Sequence, residues 1–124
     1  MIFYTRDIAQ AFDLTEAAIR QWLCRAPAFA IGTLDGHVRT FNQTEALTIA
    51  IAAEMLRHGL GRPHECLPVA KGLAASPVAS TWVHRPRGGD ITVTANRPDA
   101  TSINIPVELL RKRLAGSNIR NTNG

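Results

Sequence analysis

One glutamine and two arginines are the side chains of this 124-residue sequence best suited to reading a nucleic acid. Gln21 has the amide that pairs with adenine and Arg20 has a guanidinium for guanine or for a phosphate, while Arg39, on a separate hairpin, is the more ambiguous of the two arginines. Thr15 adds a contact of another kind. At a helix N-terminus its hydroxyl and the unpaired N–H groups behind it favour a phosphate oxygen, and the same hydroxyl serves as the helix cap. Plainer roles compete with these: Arg20 as a solvated arginine, and Trp22 beside it as core packing.

Other residue groups carry weaker chemistry. His64-Glu65-Cys66 has the soft ligands of a metal sensor but too few of them, and Cys24 and Cys66 stand too far apart to form a zinc-ligand pair or a disulfide framework. Neither a metal nor a cofactor is expected. Gly88-Gly89 follows Arg85-Pro86-Arg87 but lacks the helix and Lys-Ser/Thr pair of a phosphate loop, so it reads as a hairpin turn with a basic rim. Arg85 and Arg87 on that rim are candidate secondary contacts to phosphates. No nucleophile, base and orienting group stand together in the sequence, so no enzyme is expected.

Positioning these residues requires helices at fixed places. Thr5 is expected to cap a helix to about Phe12, Asp13-Leu14 to break it, and Thr15 to cap a second helix to about Arg25. In that second helix Ile19, Trp22 and Leu23 form the apolar stripe, which puts Ala17, Arg20, Gln21 and Cys24 on the opposite face. Short β-like pieces at Phe29-Ala30-Ile31 and His37 to Phe41 surround Asp35-Gly36, a favoured hairpin turn. Asn42 is expected to cap a third helix, Gln43 to His58, that is apolar nearly all round and must be buried on more than one side. A fourth helix from about Arg62 to Ala75 starts at Pro63 or is delayed to Pro68. After Ser76-Pro77 the period changes from 3.6 to 2. A three-stranded β-meander is expected there, at Ser80 to Arg85, Ile91 to Ala95 and Thr101 to Ile105, and then an amphipathic helix from Pro106.

Charge follows the same boundary. Residues 1–75 hold seven basic and seven acidic side chains, so the formal excess of +4 lies wholly in residues 76–124, where seven bases face three acids. An anionic partner is a reasonable expectation from the sum, with the β-rich half supplying part of the attraction. No run of about 18 apolar residues is present to span a bilayer, and Met1 is followed by a polar stretch rather than an export signal. A soluble, cytoplasmic protein with no membrane partner is expected.

The order Tyr4-Thr5, Ile8-Ala9, Leu14-Thr15, Ile19-Arg20-x-Trp22, Gly36-x-x-Arg39-x-Phe41-Asn42, Glu45-x-Leu47 and Leu56-x-x-Gly59-Leu60 resembles the winged helix-turn-helix domain of the MerR family. The resemblance covers roughly residues 2–75. It implies that the helix from Thr15 lies in the major groove of double-stranded DNA and that the hairpin around Gly36 to Phe41 is a wing gripping the backbone. Arg20 then matches the recognition-helix arginine and Arg39 the wing arginine. The sequence departs from the family at Leu23, where an acidic residue is usual, and it lacks the long dimerisation helix.

The expected fold is therefore α+β: four helices and a small β-hairpin wing over residues 1–75, a three-stranded meander plus one helix over residues 76–115, and a flexible tail from 116 to 124. The expected function is sequence-specific transcription regulation by a homodimer, with the second segment serving dimerisation or partner contact and any small-molecule inducer undetermined. Two alternatives remain open: an architectural or excisionase-like DNA-binding protein of a mobile element, and a protein-interaction module that does not bind DNA.

Overall fold

The computed structural model describes residues 2–26, 31–76, 79–86, 89–95 and 102–123, with side chains as far as Gly116. A two-residue strand β1 (Phe3–Tyr4) leads into α1 (Thr5–Phe12) and, after a three-residue turn, α2 (Glu16–Cys24). Strands β2 (Thr33–Asp35) and β3 (Val38–Phe41) follow, then α3 (Gln43–Arg57) and α4 (Pro63–Ala74). The second half holds β4 (Thr81–His84), β5 (Thr92–Thr94), β6 (Ile103–Ile105) and α5 (Val107–Asn123).

This arrangement corrects the expected fold, in which four helices and a hairpin precede a meander with one helix. Among the described residues there are five helices and two separate three-stranded antiparallel sheets. In the first sheet β1 joins the hairpin in the order β1-β3-β2, with Phe3 opposite Phe41 and both rings buried. Two residues carry too little periodicity to announce a strand, but burying Phe3 against Phe41 and pairing its backbone with β3 favours one.

The second sheet has the order β5-β4-β6, so its first strand is central and a meander is excluded. Val83 on β4 stands between Val93 and Ile103, and the buried Thr81 hydroxyl donates to the Thr94 carbonyl at 3.0 Å. Asn104 donates from its side chain to the Thr81 carbonyl on the other edge, at 3.3 Å. Alternation in sequence predicts which face a residue takes, not which strand lies beside it.

Helix boundaries follow local chemistry. Tyr4, not Thr5, is the N-cap of α1, because the Asp7 carboxylate accepts the Tyr4 N–H at 2.8 Å. Asp13 ends α1 in the left-handed region at φ 56°, a conformation that Asp tolerates better than most residues. Asn42 and Glu45 form a capping box at the start of α3, each side chain taking the other's backbone N–H. Pro63 opens α4 and Pro68 lies inside it; Pro68 and His64, whose carbonyl loses its helical donor there, are both exposed.

The core is continuous across the chain. Phe3, Ile8, Ile19 and Phe41 from the first elements join Leu47, Ile51 and Met55 of α3 and Leu67 of α4. Val83, Ile105, Val107, Leu110 and Leu114 from the second half belong to the same cluster. No helix among the described residues is long and apolar enough to cross a membrane. The expected strand positions Phe29, Ala30 and Thr101 lie outside the described residues.

Close packing at the hairpin base singles out one glycine. A Cβ at Gly32 would lie 2.8 Å from the Phe41 ring and 3.0 Å from the Thr40 carbonyl, at a φ of 83°. Gly36, at φ 63°, has open space around it. Gly32→Ala is expected to destabilise the fold by about 2 kcal/mol, and Gly36→Ala by about 1 kcal/mol from backbone strain alone. Thermal melts of the two variants beside the wild type check the ranking; equal melting temperatures would contradict it.

Candidate nucleic-acid interface

α2 is held by its apolar stripe and displays the remainder. Ile19 is fully buried, Trp22 and Leu23 are half-buried against the core, and Ala17, Arg20, Gln21 and Cys24 are exposed. Thr15 caps the helix, its hydroxyl oxygen accepting the Ala18 N–H at 3.1 Å. The hydroxyl hydrogen remains available to an incoming acceptor. Arg20 extends along the helix surface with its side chain 66% exposed, and Nη2 lies 3.3 Å from the Glu16 carboxylate one turn earlier. That is an exposed i,i+4 pair, worth a few tenths of a kcal/mol and readily opened.

The hairpin stands beside this face because its base is clamped. Glu45 uses Oε1 for the α3 cap and Oε2 to accept the Gly32 N–H at 2.6 Å. Arg39 Nη1 donates to the adjacent Ile31 carbonyl at 2.8 Å, which fixes the guanidinium while leaving its other N–H groups for a ligand. At the tip, Asp35 pairs with Val38 across a two-residue loop of Gly36 and His37, and the positive φ at Gly36 suits such a loop.

Between the helix and the hairpin lies a hollow of about 360 Å³ lined by Tyr4, Thr5, Arg6, Glu16, Arg20, His37, Val38 and Arg39. An adjoining hollow shares Thr5, Arg20, His37 and Arg39 and adds Leu23, Cys24 and Leu34. Of the residues singled out from sequence, Arg20 and Arg39 are brought together here. Gln21 is exposed on the neighbouring part of α2, and Thr15 marks that helix's start. Arg6 and His37 had not been singled out. Arg6 sits in the first turn of α1 with its guanidinium 5.8 Å from the Tyr4 ring centroid, and His37 follows the turn glycine. Their place beside Arg20 depends on the sheet that carries Tyr4 next to β3, which the sequence pattern did not disclose.

The other arginine candidates stand differently. Arg85 Nη2 lies 2.5 Å from Glu65 Oε2, and its other nitrogens donate to the Gly89 and Leu60 carbonyls at 3.0 and 3.3 Å. It is a strut between β4 and the start of α4. Arg87 lies outside the described residues. Arg111 donates to Glu108 and to the Ser76 carbonyl, while Arg113 donates to the Ala11 carbonyl at 2.7 Å and stands 5.3 Å from the Phe12 ring centroid.

Two residues of the metal-like triplet are likewise engaged in structure, while His64 is exposed. Glu65 holds Arg85, and burial pushes the Cys66 thiol up to about 11. No group of three or more His, Cys, Asp or Glu that could hold a metal ion occurs among the described residues.

The Arg85 side chain, together with the backbone N–H of Arg62, lowers the Glu65 carboxyl from its ordinary 4.5 to about 2. A lowered folded-state value stabilises the fold above pH 4.5, and that stabilisation disappears as pH falls towards 2. Glu65→Gln is therefore expected to melt lower than the wild type at neutral pH, with the gap closing between pH 4.5 and 2. Melting curves taken across that window would refute the pairing if the gap stayed constant.

The sequence matches no protein-family model and no curated protein.

Proposed function

We propose that this chain is a sequence-specific double-stranded DNA-binding transcription regulator with a MerR-like reading segment in residues 2–75. The observation that carries the reading is the convergence of Arg20 and Arg39, from separate elements, on one hollow beside the exposed face of α2. In this reading α2 enters the major groove. Gln21 contacts adenine, Arg20 reads guanine or holds a phosphate, and the Thr15 hydroxyl with the α2 N-terminus meets a backbone oxygen. Arg39 contacts the flanking strand from the hairpin, already oriented by the Ile31 carbonyl. One head of this size discriminates modestly, so the proposed acting form is a cytoplasmic homodimer on two half-sites.

One observation favours an architectural, excisionase-like variant of the same reading. The second half shares its core with the first, so the C-terminal segment is a supporting wall of the head rather than a separate body. Such a unit suits side-by-side binding, and bending of a duplex carrying tandem sites would distinguish it from a regulator that acts without bending.

Duplex selection from a random pool followed by fluorescence polarisation tests the proposal. Arg20→Ala is expected to weaken binding to the selected site by about 1–3 kcal/mol while lowering the melting temperature only slightly, since the side chain is exposed and loses only its surface pair with Glu16. Arg39→Ala is expected to weaken binding comparably and to lower stability slightly through loss of the Ile31 contact. Glu16→Gln is expected to tighten binding severalfold, because it removes a carboxylate that holds Arg20 and repels phosphate. Unchanged affinity in the Arg20→Ala, Arg39→Ala double variant would exclude this surface. Absence of selected duplexes would exclude the function.

A further inference from the structure

We infer that His37 is a phosphate ligand at the hairpin tip and that its contact takes up a proton, so that duplex binding tightens as pH falls. This inference rests on the DNA-binding reading above. His37 is exposed, is the second residue of the two-residue loop, and lines both hollows together with Arg20 and Arg39.

The groups around it decide the sign of the effect. From β1 and α1 come the Tyr4 hydroxyl and the Arg6 guanidinium; from α2 come Glu16, Arg20 and Cys24; from its own hairpin come Asp35 and Arg39. Three guanidiniums therefore share the neighbourhood with two carboxylates. Glu16 is held towards Arg20, and Asp35 stands across the hairpin from Val38, which lines the first hollow with His37.

A duplex backbone reverses that balance. It brings several negative charges to the same surface, where an imidazolium donates from both nitrogens and a neutral ring from only one. The neutral ring also turns a lone pair towards any phosphate near its unprotonated nitrogen. Phosphates and protons therefore bind His37 cooperatively, and linkage requires that lowering the pH raises the affinity. Arg20 and Arg39 remain charged throughout the range in which imidazoles titrate, so they set the basal affinity and His37 sets its response to pH.

The test is a polarisation titration of the full chain on a selected duplex at constant ionic strength, from about pH 6 to about pH 8, the span over which imidazoles change charge. For one linked proton the wild-type affinity is expected to fall about three- to tenfold across that range. His37→Gln keeps a hydrogen-bonding side chain without titrating; it is expected to show a flat profile, with the wild type exceeding its affinity most at the acid end. Calorimetry in two buffers of different ionisation enthalpy is expected to detect proton uptake on binding by the wild type and none by His37→Gln. A flat wild-type profile, or a pH response that His37→Gln retains through His58, His64 or His84, would overturn the inference while leaving DNA binding intact. Failure of the wild type to bind any duplex at any pH would overturn both. Equal melting temperatures of the two proteins exclude a folding defect as the cause of a flattened profile, and a variant that melts lower is replaced by His37→Asn under the same criteria.

Discussion

The fold is organised around α3, against which helices and strands from both halves of the chain pack. Nine of its fifteen residues are buried, among them Leu47, Ile49, Ile51 and Met55, and they point in all directions around the axis. A helix of that composition has no face suited to water, so it requires neighbours on every side. α4 packs most extensively against it, and α1, β3, α5 and β6 contact it as well. Alanines at positions 46, 50, 52 and 53 of α3 and at 70 and 74 of α4 keep the side chains short where these helices meet the core. Thr48, the buried polar residue of α3, donates its hydroxyl to the Thr44 carbonyl and so needs no other partner.

The covering requirement explains why the second half of the chain is integral to the first. Val83, Ile105, Val107, Leu110 and Leu114 are all buried in the common core, so removing residues after Ala75 would expose α3 as well as delete a sheet. Arg113 reinforces the connection from the opposite direction. Its guanidinium donates to a carbonyl in the last turn of α1, where the helix dipole favours a cation and no intrahelical donor is left. The orientation of the α1-α2 pair thus depends on α5, more than 100 residues later in the sequence.

Where the sequence was readable, local chemistry decided the outcome. The Asn42 and Glu45 box, the left-handed Asp13 and the Thr15 cap each announce a boundary within four residues, and the Ile19, Trp22, Leu23 stripe settles which face of α2 is exposed. Reading failed where the decisive partner was distant. Nothing near Phe3 reveals that Phe41 lies opposite it, and the alternation of β4, β5 and β6 is equally compatible with either strand in the centre. The candidate site shows the same division. Arg20 was legible from its helix, whereas Arg6 and His37 became neighbours of it only through sheet pairing.

Arginines make the point most sharply, because type and exposure in the sequence do not separate a strut from a ligand. Charge partition had placed the whole positive surplus in residues 76–124, as though that half were the electrostatic surface. Arg85, Arg111 and Arg113 instead satisfy Glu65, Glu108 and the carbonyls of Leu60, Gly89, Ser76 and Ala11. Their charge still contributes to the long-range field, but each side chain is already oriented by contacts within the protein. In the proposed reading, phosphate contacts fall to Thr15, Arg20, Arg39 and His37 in a segment whose formal charge is balanced. Few cations and a nearby Glu16 keep sequence-independent attraction low, since that attraction scales with the number of phosphates neutralised. Discrimination then depends on whether Gln21 and Arg20 find their bases, and the clamped hairpin base supplies the rigidity that such a comparison of sites requires.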